Sequence, residues 1–89
     1  MKCVLSVLGK DRPGIVAGVA VTLTECGANI DDISQTILGD MFSMTMLTTL
    51  NDEVAGFDDV QAKLAAQAEK LSVQMTLQRQ DVFSYMYEV

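Results

Sequence analysis

The stretch Gly9-Lys10-Asp11-Arg12-Pro13-Gly14-Ile15 stands between an apolar run that reads as a strand and a run that reads as a helix. Two glycines and a proline make a specialised strand-to-helix turn. Glycine lets backbone amides come close to another molecule, and proline suits the first turn of a helix, where its missing N–H is no loss. Such a turn aims unpaired N–H groups at whatever lies beyond the helix, which makes a seat for an anion or carboxylate. The same residues also make a sound loop with no ligand. Gly9 and Gly14 have the glycine spacing of a phosphate-binding P-loop, but that motif continues with Lys and then Ser or Thr. Ile15 and Val16 stand there instead and Lys10 falls inside the loop, which argues against nucleotide hydrolysis.

On the N-terminal side of the turn, Cys3-Val4-Leu5-Ser6-Val7-Leu8 is apolar on both faces and predicts a central strand. On the other side, Ile15, Val16, Val19, Leu23 and Cys26 recur at helical spacing, and Gly27 stands where a left-handed cap ends a helix. Asn29 to Leu38 reads as a second strand, with Ile33 and Ile37 among polar residues. Gly39-Asp40 has the form of a tight antiparallel hairpin, leading into the alternating run Met41 to Leu50. From Phe57 a second helix buries Phe57, Val60, Leu64, Ala68 and Leu71, with Asp58 and Asp59 favourably placed in its first turn. Val73, Met75 and Leu77 alternate with polar residues in a fourth strand.

The order strand, helix, strand, strand, helix, strand predicts an α+β fold. It is a ferredoxin-like βαββαβ sandwich, a four-stranded antiparallel sheet with two helices on one face. The other face needs a cover, and a second copy of the chain is the simplest one. No linker, repeat or low-complexity segment interrupts residues 1–89, so a single domain is expected. The closing segment from Val82 to Val89 holds three of the five aromatic residues. Its periodicity fits a helix or a strand, and its apolar area predicts packing on the open sheet face or on a partner chain.

Composition narrows the functional classes. Of 89 residues 49% are hydrophobic and 20% charged, apolar enough to suggest a surface buried between subunits, and so a homodimer. Twelve acidic against six basic residues leave a net charge of −6, and the basic residues are scattered. Without a basic stripe, direct nucleic-acid binding and docking on an anionic membrane are disfavoured. Two cysteines, Cys3 and Cys26, form no CxxC pair, and histidine is absent. Reduced thiols in a cytoplasmic protein are therefore expected, with no metal site and no cofactor. The longest uncharged stretch, Gly14 to Thr24, is far short of a membrane span.

The residues Asp11-Arg12-Pro13-Gly14-Ile15-Val16-Ala17, with Gly27-Ala28-Asn29-Ile30 about a dozen positions on, resemble the ACT domain over essentially the whole chain. ACT domains are small regulatory modules, often attached to enzymes of amino-acid metabolism. The runs Gly14 to Val19 and Asn29 to Thr36, and the closing Met86-Tyr87, are similar more narrowly to freestanding single ACT domains of the UPF0237 type. Those are related to the domains of the glycine cleavage system transcriptional repressor. The resemblance implies effector binding where two domains meet, with the loop before the first helix facing the start of the second strand. Carried over by position, Asp11, Gly14 and Ile15 lie on the loop side and Asn29, Ile30 and Asp31 on the strand side. Amides near Gly14 would receive a carboxylate, Asn29 offers both donor and acceptor, and Asp11 could hold an ammonium group. The chain departs from some amino-acid-binding members, which carry histidine and asparagine where Gly9 and Asp11 stand here.

Each of these residues also has a structural reading. Asp11 could cap the first helix by accepting from the amide of Gly14 or Ile15, and Asn29 could close a turn after Gly27. Gly14 and Gly18 could permit close helix packing. Asp31 and Asp32, adjacent in a strand, point to opposite faces and read as a solvated edge rather than a metal site. Met41, Met44, Met46 and Met75 read as core or dimer-face fillers. No nucleophile stands beside an identifiable base, so catalysis is not expected. Two readings of function result. One is a regulatory module sensing an amino acid or related metabolite. The other is an interaction module that docks on a protein partner through its sheet face or aromatic C-terminus.

Overall fold

The computed structural model describes residues 1–82, so the expectation for the closing segment beyond Val82 lies outside the described residues. Strand β1 (Lys2–Lys10) leads through the glycine-proline turn into α1 (Ile15–Glu25). Then follow β2 (Asn29–Leu38), β3 (Met41–Thr49), α2 (Phe57–Leu71) and β4 (Val73–Arg79). The strands form one antiparallel sheet in the order β2-β3-β1-β4, which puts the doubly apolar β1 inside and β2 and β4 at the edges. This is the ferredoxin-like arrangement expected from the element order.

Directly opposed residues in an antiparallel ladder share a face, so the register sorts the sheet into two sides. Leu5 stands between Met46 and Leu77, and Val7 between Met44 and Met75. These rows join Ile15, Val19 and Leu23 of α1 and Val60 and Leu64 of α2 in one apolar core. Among the described residues neither α1 nor α2 packs on the opposite face. Its central row is Thr45–Ser6–Thr76, with Ser43–Leu8–Gln74 beside it, mostly hydroxyls and amides with Leu8 exposed among them. Met44 and Met46 fill the core as expected and Met75 packs half-buried against it, but Met41 falls on the open side and is exposed.

Local chemistry sets the element ends. Gly27 is left-handed at φ 72°, its N–H reaches the Thr24 carbonyl at 3.0 Å, and the Ala28 N–H reaches the Leu23 carbonyl at 2.9 Å. Together these form a Schellman motif. Gly39-Asp40 turns β2 into β3 with positive φ at Gly39. Gly18 does permit close packing of the helices. A Cβ there would lie 2.7 Å from Gln67 Nε2 and 3.0 Å from Leu71 Cδ1 of α2.

One irregularity in β2 was not read from the sequence. The ladder with β3 shifts between Ile30 and Asp32, leaving Asp31 as an inserted β-bulge residue. Ile30 and Ile33 have opposite parity along the chain, so an unbroken strand would put them on opposite faces. The bulge rephases the strand. Ile30 then opposes Thr48, Ile33 opposes Met46 and Ile37 opposes Phe42, all on the helix side. Even so, the far half of β2 lies beyond the cover of the helices. Ile33 is 41% and Ile37 55% exposed there, and Leu38, paired with Met41 on the open side, is 80% exposed.

Candidate functional site

The loop half of the site is built by the turn before α1. Gly14 is the N-cap at φ 91°, with nothing within 4 Å of where a Cβ would stand. Its role is therefore backbone conformation and open approach rather than close packing. Asp11 does not cap α1. Among the described residues no side chain bonds the first turn, which also carries no acidic residue, and the left-handed Gly14 occupies the capping position. The first amides of α1, from Ile15 on, are left with the partial positive charge of a helix N-terminus and no side-chain partner. Asp11 is held by its backbone instead, its N–H donating to the Asp40 carbonyl at 2.7 Å. Arg12 Nη1 donates to the Leu71 carbonyl at 3.2 Å, placing a cation on the last carbonyl of α2. The loop is thus tied to the β2–β3 hairpin on one side and to α2 on the other.

The strand half is built by the bulge. Asp31 is aimed at the end of β3, where Oδ2 accepts from Thr49 Oγ1 at 2.6 Å and Oδ1 accepts from Asn29 Nδ2 at 2.7 Å. Asn29 therefore orients the carboxylate instead of closing a turn. These bonds, Thr49 first and Asn29 second, hold the Asp31 carboxyl below its ordinary value of 3.8, since both donors favour the ionised form. Asp32 is spent locally, its Oδ1 accepting from the Ile33 N–H at 2.8 Å. No cluster of three metal-ligating side chains occurs among the described residues. Both cysteines are buried and free, and burial pushes the Cys3 thiol up, away from a reactive thiolate.

Within one chain the two halves do not meet. Asn29 opposes Thr49, which opposes Lys2, whereas Leu38 opposes Met41, which opposes Lys10. Asp11 and Gly14 therefore lie at one end of the sheet and Asn29 to Asp31 at the other, about 27 Å apart along a nine-residue strand. The register adds to the candidate strand half two residues that the sequence reading did not name, Thr49 and Lys2. The alternation of β3 placed Thr49 on a face, but only the register brings it to Asp31. A recess of about 150 Å³ opens beside this cluster, lined in part by Lys2, Asp31 and Thr49.

Comparison with known proteins agrees with this architecture. The family model of the ACT domain matches residues 2–78. A UPF0237 protein of Listeria monocytogenes is 43% identical over 89 residues, covering 100% of each chain. A solved ACT domain protein from Streptococcus pneumoniae superposes with TM-score 0.79 at 37% identity, covering 100% of this chain and 96% of that one. A structure assigned as a glycine cleavage system transcriptional repressor gives TM-score 0.77 at 25% identity. It is covered over 86% of this chain and 44% of its own.

Proposed function

The chain belongs to the ACT-domain family, in its UPF0237 group, and on that premise we propose that it is a homodimeric regulatory module sensing an amino acid or a related metabolite. ACT domains are regulatory, small-molecule-binding units rather than catalytic ones. The observation that carries the reading is the separation of the two half-sites to opposite ends of one sheet. A second copy repairs it. Strand β2 is a ten-residue edge with apolar Ile33, Ile37 and Leu38 uncovered, and such an edge is a template for another strand.

Two copies related by a two-fold axis pair β2 antiparallel. A register with Ser34 on the axis and Asp31 bulged keeps like faces together. It sets Ile30 against the partner's Ile37 and Asn29 against the partner's Leu38, with no carboxylates directly opposed. The partner's hairpin turn then lies beside Asn29, and with the turn comes the partner's Asp11, tied to Asp40. In this dimer the amides at Gly14 and Ile15 of one copy receive a carboxylate. Asn29, Ile30 and Asp31 of the other, with Asp11, hold the ammonium end. A few charge-assisted hydrogen bonds at about 1.5–3 kcal/mol each give micromolar to millimolar affinity. No helix among the described residues is long and apolar enough to cross a membrane.

The test is thermal unfolding against each of the twenty amino acids at millimolar concentration. A ligand at 100 times its dissociation constant stabilises by about 2.7 kcal/mol. The expected result is a shift confined to one or two amino acids and lost in Asn29→Ala, with the dimer intact. No shift with any of them refutes the sensor and moves the weight to docking on a protein partner.

A further inference from the structure

The strand half-site continues into its own chain. Asp31, Thr49 and Lys2 follow one another across β2, β3 and β1 at one end of the open face, since Thr49 bonds Asp31 and is the ladder partner of Lys2. The recess of about 150 Å³ lies over this row, with Leu47 and Gln80 completing its sides. It adjoins a shallower hollow of about 460 Å³ that shares Lys2 and Gln80 and reaches Arg79. The cleft thus sets one carboxylate, Asp31, beside Lys2, with the Arg79–Asp81 ion pair beyond them.

Both ends have bonding capacity to spare. An ionised carboxylate has about four acceptor positions, and Asp31 uses two of them on Thr49 and Asn29. Lys2 makes no ion pair among the described residues. Arg79 is paired with Asp81 at 3.4 Å, both side chains more than half exposed, a contact that exchanges partners at little cost.

Resting on the sensor reading above, we propose that the effector is an amino acid with an acidic side chain, its ammonium on Asp31 and its side-chain carboxylate on Lys2. The reach fits. Lys2 stands two strands from Asp31, about 10 Å between backbones, a gap that the effector and the reaching side chains of Asp31 and Lys2 close together. Thr49 and Gln80 flank the path. A basic side chain would meet like charge there, and a neutral one would leave the Lys2 ammonium to water.

Isothermal titration of glutamate and aspartate against glutamine and asparagine, on the wild-type chain and on Lys2→Met and Asn29→Ala, tests this. The expected result is at least about tenfold tighter binding of an acid than of its amide, a preference that shrinks as salt is raised. Lys2→Met abolishes the preference but keeps weak binding of both, and Asn29→Ala loses both. Equal affinity for acid and amide, or a preference that survives Lys2→Met, overturns the proposal and leaves the sensor standing. Absence of binding by any amino acid overturns the sensor and this proposal together.

Discussion

Replacing Thr48 by valine should make the protein more stable. Thr48 faces the core from β3, between Cys3 of β1 and Ile30 of β2, and is 1% exposed. Its Oγ1 is buried with no hydrogen-bond partner among the described residues. A hydroxyl held in apolar surroundings without a bond costs about 1–3 kcal/mol in protein mutational data. Valine keeps the branched shape, puts a methyl where the hydroxyl was, and suits a strand at least as well. The net change should be a gain of about 1–3 kcal/mol. In a domain of this size each kcal/mol moves the melting temperature by about 4–8 °C, so the rise should be plain. Urea melts of wild type and Thr48→Val at one protomer concentration should show a higher midpoint and an unchanged slope. Thr48→Ser is the control. It keeps the hydroxyl, removes the methyl and should lose about 1 kcal/mol. A Thr48→Val protein no more stable than wild type would show that the hydroxyl has a partner in solution and that the packing of β3 against the core is misread.

Ser72 ends α2 in the left-handed conformation at φ 55°, so Ser72→Gly should stabilise by about 0.5–1 kcal/mol, read in the same melts. Thr49→Val removes the shorter of the two bonds to Asp31, and an NMR titration of the Asp31 carboxyl should find its pKa moved up towards 3.8. Because the native value is depressed, the stability it contributes is complete above 3.8 and lost as pH falls through the lower native value. Acidification through that window should therefore weaken wild type more than Thr49→Val. Ile37→Lys sets a charge on the uncovered edge of β2 and should give monomers by sedimentation; persistence of the dimer would place the subunit interface elsewhere.

The hydrophobic periods, the glycine at the end of α1 and the Gly39-Asp40 hairpin determined the elements and their order, and with them the ferredoxin-like sheet. These are local signals, because side-chain alternation and turn chemistry act over a few residues. Asp11, Gly14, Ile15, Asn29, Ile30 and Asp31 were likewise legible as candidates from their neighbours in the chain. What only the tertiary structure decided is where these residues stand. Strand register brings Thr49 and Lys2 to Asp31 from 18 and 29 positions away, and no period encodes such a pairing. The bulge at Asp31 puts Ile30 and Ile33 on one face, a phasing visible only in the ladder with β3. The antiparallel sheet then sends the loop and the start of β2 to opposite ends, so that the two halves of the proposed site stand apart within a single chain.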